Sequence, residues 1–267
     1  MTVGAGAAAG DLHVWAAPAH WQAIDFLSDL HLAPDMPRTV AAWAQVLRHS
    51  RADALCLLGD VFEVWVGDDG RGQPFEQGLI EVLRDAAGRR PVAFMVGNRD
   101  FLVGPAFHAE TGLIALPDPS CLLAWGRRWL LCHGDEQCLD DKPYQAFRAQ
   151  VRSAAWQHGF LARPLAERVA LARDMRRQSA THQALEQGMA ADLDADACRL
   201  LLAQAGARTL IHGHTHRPGI HDLGDGLQRV VLSDWDLDDA ECPRAEVLRL
   251  QRDGHLQRLS PEQACAA

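Results

Sequence analysis

The chain has 267 residues, of which 48% are apolar and 23% are charged, and its formal net charge is −9 at pH 7. This length suits one large domain or a domain that carries an insertion. The acidic balance argues against broad, non-specific binding to nucleic acid, so we expect no nucleic-acid partner. No apolar run is long enough to predict a membrane-spanning helix.

The first residues offer little that a core could bury. Residues 4–10 are only Gly and Ala, and no Lys or Arg precedes Arg38, so the basic part of a targeting signal is missing. We expect residues 1–20 to form a flexible leader, residues 21–260 the folded domain and residues 261–267 a tail.

The seven cysteines form no Cys-x-x-Cys pair, and their number is odd. Several lie in apolar runs, which favours buried, reduced thiols in a cytoplasmic protein over a disulfide framework. They are Cys56, Cys121, Cys132, Cys138, Cys198, Cys242 and Cys265.

The first half of the chain alternates predicted strands and helices. Apolar runs predict strands at residues 24–27, 52–58 and 91–96, and helical spacing predicts helices at residues 39–49 and 75–87. This order predicts parallel strands, and sheets of that kind carry their ligand sites at the carboxyl ends of the strands.

The second half reads differently. Residues 121–132 predict a hairpin, and residues 208–211, 228–233 and 245–250 predict further strands in a meander-like order. We therefore expect two packed sheets with helices outside. Between these strands, residues of about 140–206 are mostly helical in pattern, and we interpret them as an insertion that forms a lid.

Five short polar motifs follow the apolar runs and dominate the sequence. Their oxygen and imidazole ligands suit two divalent cations that share a carboxylate, and such a centre activates water for attack at phosphorus. Asp60 is the natural shared carboxylate, because two cations need an anion between them. The motifs are Asp29-Leu30-His31, Gly59-Asp60, Gly97-Asn98-Arg99-Asp100, His133-Gly134-Asp135 and Gly213-His214-Thr215-His216.

The residues alone leave other interpretations open. Each histidine taken singly can be a hydrogen-bonded polar residue. The same scaffold can hydrolyse a nucleotide or another small phosphodiester, or it can serve as a binding scaffold without catalysis. A structural zinc site is disfavoured because such sites are closed and rich in cysteine.

The ordered motifs resemble those of the calcineurin-like metallophosphoesterase superfamily. The resemblance implies an α/β fold, the four-layer α/β/β/α sandwich, with two metal ions. One ion would be held by Asp29, His31, Asp60 and His216, and the other by Asp60, Asn98, His133 and His214.

Longer strings narrow the resemblance to one branch, the UDP-2,3-diacylglucosamine diphosphatases of lipid A synthesis. They include residues 58–69, 97–102, 140–148 and 211–218, and the likeness covers about residues 22–235. It implies water attack at the α-phosphorus, with UMP and 2,3-diacylglucosamine 1-phosphate as products and two Mn²⁺ as cofactors. It also implies peripheral contact with the cytoplasmic face of the inner membrane, and we expect the protein to be a monomer.

The resemblance also implies roles for individual residues. The catalytic residues would be Asp60, Asn98, Arg99 and His214. The substrate-binding residues would be Asn98, Arg99, Asp141, Tyr144, Ser179, Gln183 and His214. The alternative for Arg99 is a surface ion pair with Asp100. Glu186 stands where this branch usually has a lysine, so we expect His182, Gln183 or Arg177 to supply the headgroup contact.

The lid sequence suits an amphipathic substrate. We expect a tunnel for fatty chains lined by Trp65, Phe101, Phe147, Trp156, Phe160, Leu171 and Met175. We expect anionic lipid headgroups to be faced by Arg163, Arg168, Arg173, Arg176 and Arg177.

Overall fold

The computed structural model describes residues 12–185 and 192–266, except for the side chains of residues 176–185. Within these residues, two six-stranded sheets pack face to face, and helices cover their outer surfaces. The predicted four-layer α/β/β/α sandwich is therefore confirmed.

The described strands are β1 His13–Ala16, β2 Ala23–Leu27, β3 Ala54–Leu58, β4 Val92–Met95, β5 Ile114–Leu116, β6 Ser120–Ala124, β7 Arg127–Leu131, β8 Thr209–His212, β9 Gly219–Gly224, β10 Leu227–Val231, β11 Val247–Gln251 and β12 Leu256–Leu259. The described helices are α1 Pro37–His49, α2 Pro74–Ala87, α3 Pro105–Thr111, α4 Lys142–Val151, α5 Ala154–Leu161, α6 Leu165–Leu185, α7 Ala195–Ala205 and α8 Pro261–Cys265.

The first sheet has the order β12-β11-β2-β3-β4-β5, in which β2 to β5 are parallel. Strand β3 is buried on both faces. Cys56 and Leu58 belong to the core between the sheets, whereas Leu55 and Leu57 pack under the helices. Such fully apolar strands are typical of parallel sheets covered on both sides. The predicted parallel half is confirmed, and β2, β3 and β4 end at one edge.

The second sheet has the order β1-β6-β7-β8-β10-β9 and is mixed. The expected meander is wrong, because β1–β6, β7–β8 and β8–β10 are parallel pairs. The β6–β7 and β9–β10 pairs are antiparallel. Strands β7 and β8 are joined through α4 to α7, and a long helical crossover of this kind returns the chain in the same direction.

The predicted leader over residues 1–20 needs correction. His13–Ala16 forms β1, which pairs in parallel with β6. Trp15 is buried and packs edge-on against Trp21, with the ring centroids 5.8 Å apart. This strand is short and carries a single large buried side chain, so it has no periodic apolar signal. Residues 1–11 lie outside the described residues.

The predicted tail is also partly helical. Ser260 and Gln263 form a capping box at the start of α8, in which each side chain accepts the other residue's backbone N–H. Ala264 is fully buried, and α8 packs against α1. The last helix therefore belongs to the folded domain.

The insertion is helical where it is described, and residues 186–191 lie outside that part. Helix α7 packs on the second sheet through Cys198, Leu202 and Ala205, so it belongs to the sandwich. We use the word lid for α4, α5 and α6 only. None of the described helices is both long and apolar enough to cross a bilayer.

A buried ion pair joins β2 to β11. Asp25 is fully buried and accepts hydrogen bonds from Arg249 Nε (2.7 Å), Arg249 Nη2 (2.8 Å) and Ser50 Oγ (2.6 Å). We predict that Asp25→Ala lowers the free energy of unfolding by about 3 kcal/mol, because it leaves the guanidinium of Arg249, which is only 13% exposed, without its carboxylate. Urea unfolding measures this change.

The matched control is Asp196→Ala on α7, whose partner Arg199 is 44% exposed. An exposed pair of this kind contributes little to stability, so this variant should unfold like the parent chain. Equal loss in both variants, or no loss at Asp25, would contradict the prediction.

Candidate metal centre

The predicted ligands converge where the edges of the two sheets meet. Asp29, Asp60 and Asn98 follow β2, β3 and β4, and His133 and His214 follow β7 and β8. The loops are joined by backbone hydrogen bonds. Asp29 N donates to Gly59 O (3.1 Å), and Trp235 N donates to Asp29 O (3.0 Å). The carboxyl ends of these strands thus form one site, as the parallel order predicts.

Asp29, His31 and His216 form a first group of donor atoms. Their potential ligand atoms all lie within 4.8 Å of one another. His31 Nε2 is 3.2 Å from His216 Nε2, and His216 Nε2 is 3.4 Å from Asp29 Oδ1. Burial opposes the ionisation of Asp29, but contact with His216 and the other histidines holds its pKa below the ordinary value. This group therefore keeps a charged oxygen ligand at neutral pH.

Asn98, His133 and His214 form a second group. Asn98 Oδ1 lies 2.9 Å from His133 Nε2 and 2.9 Å from His214 Nδ1. Burial and the neighbouring His133 lower the pKa of His214 to about 4, so its ring is neutral at pH 7. An amide oxygen and two imidazole nitrogens meeting at one point suit a borderline divalent metal.

Asp60 lies between the two groups and presents one oxygen to each. Its Oδ2 is 3.9 Å from His31 Nε2, and its Oδ1 is 3.6 Å from His133 Nε2. Oδ1 also accepts a hydrogen bond from Arg99 N (2.8 Å). Asp60 is thus placed as a carboxylate shared by two ions would have to be.

The ring of His133 is oriented by a hydrogen bond on the side that faces away from the centre. It is fully buried, and its Nδ1 donates to Leu58 O (2.9 Å), which directs Nε2 toward Asn98. Burial alone would lower the pKa of His133, but the carboxylates of Asp60 and Asp29 outweigh burial and raise it to about 9. The same negative surroundings favour a metal cation.

The two more exposed histidines have carboxylates near the ring nitrogen that faces away from the centre. His31 Nδ1 is 3.0 Å from Glu63 Oε2, and His216 Nδ1 is 3.6 Å from Asp234 Oδ2. Asp234 in turn accepts a hydrogen bond from Arg244 Nε (2.6 Å). Such partners orient an imidazole and make it a better ligand.

The backbone of the centre is unusual. Five of the seven predicted ligands have a positive φ, namely Asp29 (51°), His31 (46°), Asp60 (53°), His214 (66°) and His216 (52°). Non-glycine residues rarely adopt this left-handed conformation, and it costs of order 1 kcal/mol or more each time. Because so many ligands adopt this conformation, the loops are locally less stable, and in return their donor atoms point toward the centre.

Sequence reasoning missed the role of Asp100. The surface ion pair considered as the alternative for Arg99 is wrong, because Asp100 is fully buried and accepts hydrogen bonds from Val61 N (2.8 Å) and Gly97 N (2.6 Å). Burial and the nearby Asp60 raise the pKa of Asp100 to about 6. Asp100 therefore ties the loop that carries Asp60 to the loop that carries Asn98.

Sequence reasoning also missed the role of Asp135. Its buried Oδ2 accepts hydrogen bonds from Tyr144 OH (2.7 Å) and Arg148 Nε (2.8 Å), both on α4. Arg152 also donates to Gly97 O (2.9 Å). The lid is therefore attached directly to the loops of the metal centre.

Arg99 lies at the centre with an unused donor. Its Nε is buried and has no hydrogen-bond partner among the described residues. A buried N–H without an acceptor is costly, and a phosphate oxygen would satisfy it.

The structure places the other predicted substrate-binding residues on the lid. Asp141 caps α4 by accepting a hydrogen bond from Tyr144 N (2.9 Å), and the Tyr144 ring lies 5.9 Å from the His214 ring. Ser179 and Gln183 belong to α6, but their side chains are outside the described part. The side chains of Arg176, Arg177 and His182, and the whole of Glu186, lie outside it as well.

Two predicted lid contacts need correction. Trp65 packs in the core against Phe62 and Phe107, with ring centroids 4.7 and 5.3 Å away, so it lines no tunnel in the lid. Arg168 is buried and donates to Val66 O and to the Asp69 carboxylate, so it faces no lipid headgroup.

The fold and the cluster of carboxylate, amide and imidazole donors define a metal-dependent phosphoesterase. The chain belongs to the calcineurin-like phosphoesterase family, whose model matches residues 22–218. The family predicted from the motifs is confirmed, and the chain is a metal-dependent hydrolase.

Several bacterial relatives, each named UDP-2,3-diacylglucosamine hydrolase, are similar over most of the chain. The protein from Chromobacterium violaceum is 47% identical over 222 residues, which cover 80% of this chain and 90% of the relative. The protein from Bordetella pertussis is 42% identical over 234 residues, covering 85% and 91%. The protein from Xanthomonas oryzae pv. oryzae is 42% identical over 241 residues, covering 86% and 95%.

The glycine before Asn98 allows the two central loops to touch. A Cβ atom on Gly97 would lie only 2.5 Å from Asp60 N and 2.8 Å from His133 Cε1. We predict that Gly97→Ala displaces Asp60 or His133 and weakens metal binding at least about tenfold. Elemental analysis and titration with Mn²⁺ measure this loss.

The matched control is Gly78→Ala on α2, where an added Cβ would meet nothing within 4 Å. This variant should bind metal like the parent chain and gain about 0.5–1 kcal/mol in stability. Full metal content in the Gly97 variant would show that the loops have more room than the structure indicates.

Proposed function

We propose that this protein hydrolyses the pyrophosphate bond of UDP-2,3-diacylglucosamine in lipid A biosynthesis. Water attack at the α-phosphorus gives UMP and 2,3-diacylglucosamine 1-phosphate. The observation that carries the proposal is the position of Asp60, whose two carboxylate oxygens face different donor groups. The names of the relatives that are 42–47% identical support this substrate.

The donor set fits two divalent cations, for which we propose Mn²⁺. Asp29, His31, Asp60 and His216 would hold one, and Asp60, Asn98, His133 and His214 the other. When bound, such a pair would lower the pKa of a water molecule toward neutrality and stabilise the negative charge that develops on the phosphate. The buried carboxylates keep the site attractive to cations.

Arg99 would bind the substrate's phosphate oxygens. Its buried Nε has no described partner, and its backbone N–H is fixed on Asp60, which holds the residue beside the reacting group. A guanidinium stays charged at all working pH values and can offer two parallel donors to a phosphate. Together with Asp60, Asn98 and His214 it forms the proposed catalytic set.

The lid would hold the acylated sugar. Phe101, Trp156 and Phe160 form a row of aromatic rings, with centroid distances of 6.2 and 4.7 Å, and Arg152 lies 5.0 Å above the Phe101 ring. Each buried methylene of an acyl chain contributes about 0.8 kcal/mol. We propose that this row contacts the acyl chains.

Polar lid residues would bind the substrate's headgroup. We assign this role to Asp141, Tyr144, Ser179 and Gln183. The Tyr144 hydroxyl already donates to Asp135, so the tyrosine would offer the substrate its oxygen as an acceptor or its ring face. Asp141 would keep its capping role at the same time.

We also infer peripheral contact with the cytoplasmic face of the inner membrane. Large apolar side chains are exposed on and beside the lid, among them Leu139 (39%), Phe147 (40%) and Leu161 (42%). Arg163 and Arg173 are exposed nearby in sequence. One chain contributes the complete donor set, which supports action as a monomer.

The proposed reaction is tested with purified protein, Mn²⁺ and UDP-2,3-diacylglucosamine. We predict release of UMP, and a loss of at least about a thousandfold in Asp60→Ala, because a metal centre supplies several kcal/mol of transition-state stabilisation. Phosphorus NMR or chromatography of the products measures the reaction.

The control is Asp85→Ala, an exposed carboxylate on α2 that should leave hydrolysis unchanged. Equal turnover of unacylated UDP-glucosamine would argue against a role for the lid. Turnover of small aryl phosphodiesters without any release of UMP would favour another phosphoesterase on this scaffold.

Membrane contact is tested by sedimentation with vesicles that contain phosphatidylglycerol. We predict binding at low salt that weakens when Phe147 and Leu161 are both changed to Asp, because apolar burial is lost and charge repulsion is added. The control is Leu200→Asp, since Leu200 is 60% exposed but lies on α7, outside the lid. Absence of binding by the parent chain at low salt would contradict the inference.

A further inference from the structure

A cavity of about 600 Å³ opens beside the metal centre on the side of His216. The cavity is lined by His216 and by Asp234, Arg244, Ala245 and Glu246. We call it the Arg244 cavity. Its volume is in the range of pockets that bind small molecules.

The Arg244 cavity and the lid lie beside different groups of donor atoms in the metal centre. The cavity reaches His216, which groups with Asp29 and His31. The lid reaches the other group, because the Tyr144 ring lies 5.9 Å from the His214 ring. A substrate that spans the centre would therefore place one part under the lid and the other in the cavity.

The cavity wall combines apolar surface with charged groups that are held in ion pairs. Arg244 donates to Asp234 Oδ2 (2.6 Å) and to Cys242 O (3.1 Å), and Glu246 Oε2 accepts from Arg258 Nη1 (3.0 Å). An acyl chain would remove these groups from water without offering them a hydrogen bond, which is unfavourable.

A nucleoside matches this wall better. Ribose hydroxyls are donors for carboxylates such as those of Asp234 and Glu246, a pairing that recurs in nucleotide sites. The carbonyl oxygens of a pyrimidine base are acceptors for a guanidinium. The rings of Pro218 and Pro243, which also line the cavity, offer flat apolar surfaces to a base or a ribose.

We propose that the Arg244 cavity binds the ribose and pyrimidine base of the nucleotide half of the substrate. This inference rests on the proposed function, since it assumes that the acylated sugar lies under the lid. The cavity then makes the enzyme selective for a substrate that carries a nucleotide on the attacked phosphorus, and it is the site from which the nucleoside monophosphate product departs.

The test fills the cavity without removing a charge. Ala245 is half-buried and lines the cavity, so we expect Ala245→Phe to place a ring in the cavity, and the substitution itself removes no metal ligand and no charged group. The matched control is Ala17→Phe. Ala17 is also half-buried and lines a second cavity of about 590 Å³ beside Trp125 and Arg252.

Binding of UMP and of 2,3-diacylglucosamine 1-phosphate to the Mn²⁺-loaded proteins is measured by titration calorimetry. In Ala245→Phe we expect UMP to bind at least about tenfold more weakly, while the affinity for the acylated product changes less than about twofold. Ala17→Phe should bind both as the parent chain does. The proposal is overturned if UMP binding is unchanged, or if both ligands weaken equally.

Metal content is measured in every variant, so that loss of the centre is not mistaken for loss of the cavity. If Ala245→Phe loses metal, Ala245→Leu provides a smaller obstruction. Selective weakening of UMP binding in Ala245→Leu would then support the proposal, and unchanged UMP binding or equal weakening of both ligands would overturn it. Turnover of UDP-2,3-diacylglucosamine by the parent chain is assayed separately. Failure of turnover refutes the proposed function, whereas normal turnover with unaltered UMP binding in the Ala245 variants refutes only the cavity's role.

Discussion

The centre depends on one carboxylate that serves two sides at once. Asp60 Oδ2 faces His31, and Asp60 Oδ1 faces His133 while also accepting a hydrogen bond from the Arg99 backbone. This is possible only because the ends of strands from both sheets meet at one edge of the sandwich. The packing of the two sheets therefore fixes the distances between the donor atoms of the site.

The loops that hold this carboxylate in place contain left-handed backbone conformations that non-glycine residues rarely adopt. The left-handed φ of Asp29, Asp60 and His214 turns consecutive side chains toward the centre, and glycines such as Gly97 let the loops approach closely. Asp100 then fixes two of these loops through backbone N–H groups. The stable core on either side of the loops allows this local cost.

The sequence predicted the parts of the molecule that have local signatures. Continuous apolar runs identified β2, β3 and β4, and the polar residues that follow them identified the ligands. Other features depend on residues far apart in the chain. Arg168 contacts Asp69, and burial of such an arginine has no sign in the neighbouring sequence. The parallel pairing of β7 with β8 follows from a crossover, and β1 carries only one large buried side chain.

The attachment of α4 to the metal-centre loops has a consequence for how the enzyme can diversify. Asp135 binds Tyr144 and Arg148, and Arg152 binds the Gly97 carbonyl, so hydrogen bonds join α4 and its C-terminal end directly to the loops that carry the metal ligands. Helices α5 and α6 contact the same loops further from the ligands in sequence, through Trp156 on Phe101 and Arg168 on Val66 and Asp69. Under the proposed function, remodelling of α5 and α6 would change the preference for acyl-chain length, whereas changes in α4 would disturb the loops that carry the metal ligands.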